Sequence, residues 1–515
     1  LLFAAYAVLF LFAENIAEVG LRDAVPPLGR AVIGAALALT ICGLVYRDLR
    51  RGALVTSILV AAFFGYGHVG KLLGDGVGRD QLLALWAIAI GTVAVIAWRL
   101  PARRVASLTL ALDVIAGALV VMSLVQVVPT SLDRIAQENA PLPDRPAPNP
   151  DDPDIYFLVF DRYGSEASIE LLTGVQNDLP AFLESRGFTV AHDAKANYGR
   201  TAMSLASTFD MDYLDELVAK EGPGSTDFTA LNEMLQDHEV GRTLRERGYR
   251  IYQMGSWFTP TATSRIADVI VAPGAETDFE VLLRQTTMLP LLDEYVTKPE
   301  IVHSDAQHRD FGLFALDQMA KVRSEPGPKF VFAHILLPHP PYVFWSDGTY
   351  PIEAQRKLPE PERYAAQLAY TNKRIREVVD ELLDTPADRQ PVVIIAADEG
   401  PYPKGYGGDQ GSYVWETAPD DALLIKYGIL DAFHLPDDVA DEGPTIPQDI
   451  TPVNTFRLVF DKVFGMDLPL LPDRQYTSRD WPHAFDLTDV TDRIAEAEAA
   501  HDGAPVASPA ASAAP

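Results

Sequence analysis

Apolar positions crowd the first quarter of the chain in long unbroken runs. Beyond it they fall into short bursts divided by polar, glycine- and proline-containing stretches. Five runs open the sequence, roughly Leu1 to Ala13, Ala31 to Tyr46, Ala53 to Tyr66, Leu82 to Trp98 and Val105 to Val128. Each is about as long as a helix needs to cross a hydrocarbon layer, or slightly short of it, which predicts an N-terminal α-helical transmembrane bundle of about five spans over residues 1–128. A secretory signal is a single short apolar segment with a cleavage site, so a series of runs argues against one. A water-soluble bundle could not cover so much charge-free surface. The polar exceptions Glu14, Asn15 and Asp113 are expected to face the bundle interior or an interface. Because the sequence opens on Leu1 rather than methionine, a start further upstream is expected.

After the last run the pattern changes. Residues 129–153 are rich in proline and aspartate and end in Pro-Ala-Pro-Asn-Pro-Asp-Asp-Pro, the composition of a linker. Residues 154–490 alternate β-branched or aromatic bursts with helical spacing, which predicts an α/β domain with a mostly parallel sheet sandwiched by helices. Strands are expected at 155–160, 249–254, 329–336, 392–397 and 423–427, with weaker ones near 188–192 and 268–271. Helices are expected at 202–217, 229–247, 308–321 and 361–383. The Ala/Pro-rich tail, residues 491–515, is expected to be disordered.

Charge orients the bundle. Arg47, Arg50 and Arg51 follow the second run and Arg99, Arg103 and Arg104 the fourth, so both clusters are expected in the cytoplasm and the α/β domain on the extracytoplasmic side of a bacterial-type membrane. The formal net charge of -29, carried mostly after Val128, argues against a nucleic-acid partner, because phosphate binding needs a basic surface. The single cysteine, Cys42, lies in the second run, leaving no thiol in the domain for an oxidising compartment to pair.

In a parallel sheet ligands gather beyond the carboxyl ends of the strands. Asp161 follows the first expected strand, Asp398 and Glu399 follow 392–397, and His334 and His339 lie at or just past the end of 329–336. Carboxylates and imidazoles converging there point to a cation site, which would relieve their mutual repulsion. The segment Asn197-Tyr198-Gly199-Arg200-Thr201 reads as a loop entering a helix. A threonine at a helix start is ordinarily an N-cap, so Thr201 has a structural reading beside a chemical one. Trp257, after the strand expected at 249–254, either lines a cleft or packs in the core.

In order and spacing, Asp161-Arg162, the loop carrying Thr201, Pro338-His339-Pro340-Pro341-Tyr342 and Asp398-Glu399-Gly400 resemble the alkaline phosphatase/sulfatase superfamily over roughly residues 154–471. The likeness is to its membrane-embedded branch, the lipoteichoic acid synthase-like and sulfatase-like hydrolases and transferases. The resemblance implies Asp161 and Asp398 as metal ligands, Thr201 as both ligand and hydroxyl nucleophile, and His339 as a contact to the transferred group. It also implies a cell-envelope lipid or glycan substrate. With threonine in the nucleophile position, the formylglycine chemistry of true sulfatases is unavailable. The chain departs from the superfamily at Glu399, where histidine is usual.

Taken with the resemblance, an all-oxygen set of Asp161, Thr201, Asp398 and Glu399 suits one Mn²⁺ or Mg²⁺, or Ca²⁺, better than Zn²⁺. An anionic substrate then needs cationic partners, and Arg200, His339 and Lys404 are candidates, with His334 and Trp257 lining the substrate site. The expected activity is metal-dependent phosphoryl transfer or hydrolysis. The alternative is a catalytically altered fold serving as an envelope scaffold or glycan-binding module. Oligomeric state is not legible.

Overall fold

The structure is a computed structural model that describes residues 1–502, apart from 17–18, 74–78, 139–141, 143, 275–276, 293–302, 407–412, 441–442, 444 and 481. The chain divides into two compact units, one formed by residues 1–141 and 274–307 and the other by 142–273 and 308–515. Residues 503–515, most of the expected disordered tail, lie outside the described residues. The start of that tail is a helix, Thr491–Asp502.

The first unit is built on helices α1 (Leu2–Glu14), α2 (Leu21–Tyr46), α3 (Leu49–Leu73), α4 (Arg79–Arg99) and α5 (Ala102–Glu138). Four of them, α2 to α5, are long and apolar enough to cross a membrane, while α1 is shorter. The apolar surface they expose, such as Ile33, Ile41, Leu110 and Val125, is surface a bilayer would cover. At Gly52 of α3, a β-carbon would lie 2.6 Å from the Gly43 nitrogen of α2, so glycine is required for this helix approach. Arg51 reaches the carbonyls of Ala97 and Leu100 at the end of α4, satisfying groups that have no partner within that helix. Two expectations need correction here. Helix α5 continues to Glu138, into the segment read as linker, because Pro129 is its only internal proline and nothing else stops it. Asp113 lies on the exposed surface of α5, which removes the bundle interior from the two places expected for it and leaves an interface.

The second unit holds a seven-stranded sheet in the order β2-β7-β6-β1-β5-β3-β4. Its strands are β1 (Ile155–Phe160), β2 (Phe188–Val190), β3 (Arg250–Met254), β4 (Val269–Val271), β5 (Lys329–Ile335), β6 (Val392–Ala396) and β7 (Asp431–His434). A two-stranded ribbon, β8 (Tyr476–Ser478) and β9 (Leu487–Asp489), stands apart. Central strand β1 pairs in parallel with β5 and β6, and β3 continues the parallel set, so four carboxyl ends open side by side. Strand β7 runs antiparallel to both its neighbours. All of β1, β5 and β6 is buried, as expected for apolar runs covered on both faces.

The α/β expectation thus holds, with one element exchanged. The strand expected at 423–427 is the end of a helix, Asp420–Tyr427, and the strand lies beyond it at β7. A short apolar run does not by itself distinguish strand from buried helix, and Pro419 with Asp420 and Asp421 forms a helix-start signal there. The helices expected at 202–217 and 229–247 are each broken in two, the second at Asp237-His238, where His238 caps the new helix by accepting from the Gly241 N–H at 3.1 Å.

Candidate active site

Asp161 stands directly after β1, Asp398 after β6, and His334 on β5 opposite Val159. One ligand atom from each lies within 4.8 Å of the others, and all three side chains are buried. Asp161 Oδ1, Asp398 Oδ2 and His334 Nε2 have no hydrogen-bond partner. Buried polar atoms are normally paired, so three polar atoms without a hydrogen bond in one space, with His334 Nε2 3.6 Å from Asp161 Oδ2, fit a cation. The second nitrogen of His334 is held by Thr261, whose Oγ1 lies 2.8 Å from Nδ1 and fixes the ring. Burial, and then the neighbouring Asp161 and Glu399 charges, push the Asp398 carboxyl well above the ordinary carboxylate range. A bound dication would relieve that repulsion.

Thr201 is the first residue of helix Thr201–Asp210; the cap itself is Arg200, and no side chain closes that end. The Thr201 side chain instead lies beside Asp398 and favours the ionised carboxylate. The N-cap reading therefore fails on geometry, and the hydroxyl sits at the positive end of a helix dipole beside the acidic cluster. Arg200 is tied down: Nε donates to Ser478 Oγ at 3.0 Å, and Nη2 to the Asp480 carbonyl. It lines a small crevice with Tyr406, Tyr413 and Trp415.

Glu399, expected among the ligands, turns away from them. Its Oε1 lies 2.5 Å from Arg162 Nη2 and its Oε2 2.8 Å from Lys426 Nζ, all three groups being buried. Two cations outbid a shared cation site for this carboxylate, and His334 stands in the cluster in its place. Arg162 can reach Glu399 because its backbone is left-handed, with φ 62°, a conformation held by Tyr364, whose hydroxyl donates to the Arg162 carbonyl at 3.0 Å. Tyr402 completes the arrangement, with the guanidinium 3.5 Å above its ring. Burial and the Arg162 charge lower the Lys426 ammonium to about 8.

His339 is carried on the loop 338–342, which Gln367 of helix Glu360–Leu383 pins. Its amide oxygen accepts from the Val343 and Phe344 N–H groups at 2.8 and 3.0 Å, and its nitrogen donates to the His339 carbonyl at 2.8 Å. Burial lowers the His339 imidazole to about 4, and its ring lies between Trp257 and Tyr402. Lys404 is exposed on a turn and is not drawn into this group. Sequence reasoning missed Lys426 and Arg162 as partners of Glu399. The available signal was a lone cation inside the apolar run Leu423-Leu424-Ile425-Lys426-Tyr427, since a buried charge demands a counter-charge.

A sulfatase family model matches residues 196–453, half of the chain, and the chain belongs to the sulfatase family. No curated protein matches. Among solved structures it is similar to the C-terminal periplasmic domain of EptC from Escherichia coli, at 14% identity over 68% of this chain and 96% of that one, TM-score 0.43. It is also similar to the integral membrane lipooligosaccharide phosphoethanolamine transferase EptA from Neisseria meningitidis, at 12% identity over 90% and 95%, TM-score 0.38. A third similar structure is BT1596, a 2-O GAG sulfatase, at 16% identity over 62% and 72%, TM-score 0.39.

Proposed function

We propose that this membrane-anchored sulfatase-family protein is a metal-dependent phosphotransferase or phosphohydrolase of the cell envelope, working outside the cytoplasm on a lipid- or glycan-linked substrate through Thr201. The observation that carries this reading is the buried cluster of Asp161, His334 and Asp398, with the Thr201 side chain beside Asp398 at the start of its helix.

Asp161, Asp398, His334 and the Thr201 oxygen would hold the cation. The imidazole makes the set less purely oxygen than the sequence implied, which brings Zn²⁺ into range beside Mn²⁺. When bound, a dication supplies Lewis-acid polarisation of a phosphoryl oxygen and a lowered hydroxyl pKa. Thr201 Oγ1 attacks phosphorus, its proton passes to Asp398, the bond to the leaving oxygen breaks, and a phospho-threonine results. Attack by an alcohol or water then releases the group and restores the hydroxyl. His339, largely neutral at pH 7 and with Nδ1 donating to the Pro340 carbonyl, presents Nε2 as an acceptor, placed to take the proton of the attacking alcohol or water. Glu399 is not a ligand in this reading; it fixes Arg162 behind the cluster.

Thr201→Ala is expected to reduce turnover at least about a thousandfold, the scale at which loss of a catalytic nucleophile is felt, while folding and metal content persist. Turnover by that variant, or a wild-type chain purified without metal from metal-replete cells, would contradict the mechanism. The second result would favour the scaffold alternative.

A further inference from the structure

A cavity of about 670 Å³ lies wholly within the unit formed by residues 1–141 and 274–307. Its walls come from α2, α3 and α4 and from helix Asp278–Thr286 with the residues after it. That helix belongs to a stretch that leaves the α/β unit at Pro273 and rejoins it at His308. Phe279 packs edge-on against Phe12 of α1, and a β-carbon at Gly67 of α3 would lie 2.2 Å from the Gln285 carbonyl oxygen, so this helix is seated directly on the membrane helices.

The lining is apolar along most of its length, with Ala35, Ala38, Leu59, Phe63 and Ile90, and charged near one end, with Arg30, Glu280 and Arg284. Between Pro27 and Ala38 the cavity follows α2 for about 16 Å at 1.5 Å per residue, close to half of a hydrocarbon core of about 30 Å. With the arginine clusters inside, the charged end faces the exterior leaflet. Arg30 pairs with Glu280, yet its side chain remains 64% exposed, so a guanidinium with five donors has capacity left at a depth where a second anionic partner is favoured. An apolar void open to lipid does not fill with water.

We infer that this cavity binds one acyl chain of an exterior-leaflet glycerophospholipid, with the lipid's phosphodiester at Arg30. The volume falls within the range of ligand pockets, about 300–1,000 Å³. Gly34 widens the site, since a β-carbon there would meet nothing within 4 Å. Naming this lipid as the donor of the group that Thr201 takes up rests on the function proposed above; the binding site itself does not.

The test is native mass spectrometry of the full chain in detergent, titrated with phosphatidylglycerol or with diacylglycerol of the same chains. The wild type is expected to hold one phosphatidylglycerol per chain in a saturable way. Gly34→Trp and Ile90→Trp, which fill the cavity from two walls, should weaken that binding at least tenfold, and Arg30→Gln should remove the preference over diacylglycerol. Two filled variants that melt like the wild type and bind phosphatidylglycerol equally well would overturn the site. Equal wild-type binding of the two lipids would overturn the phosphodiester contact. Thr201→Ala should bind lipid as the wild type does, so failure of the catalytic reading shows in turnover and failure of the lipid site shows in retention.

Discussion

Glu399 is held between Arg162 and Lys426 where water does not reach, and neutralising it would leave two buried cations facing each other. Glu399→Gln is therefore expected to destabilise the chain by roughly 3–5 kcal/mol, the cost of breaking a buried pair from one side. Adding Lys426→Met should recover part of that loss, as urea unfolding of both variants would show. Loss confined to metal content, with stability unchanged, would return Glu399 to the ligand set. His238 offers a separate test. It is buried against Phe209, accepts a hydrogen bond at Nδ1, and burial lowers its imidazole to about 3. A base whose folded value lies below the unfolded 6.5 stabilises the fold above 6.5 and loses that contribution as pH falls towards 3. Each pH unit below about 6.5 should remove up to roughly 1.4 kcal/mol. His238→Asn keeps the cap acceptor but cannot be protonated, so its melting temperature should fall less steeply between pH 6.5 and 4, whatever its value at pH 7. An unchanged slope would contradict the assignment.

The elements that present the site differ in how plainly the sequence announced them. Strands β1 and β6 are unbroken apolar runs of strand length and β5 is apolar between Lys329 and His334, so the convergence of Asp161, Asp398 and histidines at their ends was legible. Which of them cluster was not, since the sequence reading gave the cation Glu399 and assigned His334 to the substrate. Helix Asp420–Tyr427 was not legible either, because its apolar run has no period that separates helix from strand, and its role depends on a contact remote in sequence. That contact is with Gly400. The Gly400 N–H donates to the Lys426 carbonyl at 2.7 Å, and a β-carbon would lie 2.2 Å from the Ile425 carbonyl oxygen. Gly400→Ala should push the end of this helix from the loop after β6, costing about 1–3 kcal/mol as overpacking does. Because Lys426 and Glu399 shift with it, turnover should fall as well. A variant with wild-type stability and turnover would show that the close approach does not matter. Direction of charge was also beyond the sequence: Glu399 adjoins Asp398 in the chain, yet the two side chains take up different partners, and only the left-handed Arg162 reveals why.

For the molecule as a whole, composition alone separated a membrane-crossing part from an α/β part, because a bilayer imposes length and polarity rules that few soluble segments meet. Residues 274–307 escaped that division, since their helix is short and carries Glu280 and Arg284 among its apolar positions. Orientation is open to direct test. With Cys42 replaced by alanine, single cysteines at Asp151 and Arg104 can be probed with a membrane-impermeant maleimide on intact cells. Labelling is expected at Asp151→Cys and not at Arg104→Cys, and the reverse pattern would place the α/β domain in the cytoplasm. The chemistry turns on whether the Thr201 hydroxyl carries the transferred group. Mass spectrometry of the full chain, acid-quenched during turnover and digested, should find a phosphoryl adduct on Thr201 that disappears in Asp398→Asn. Turnover with Thr201 unmodified and the adduct on another residue would refute the mechanism.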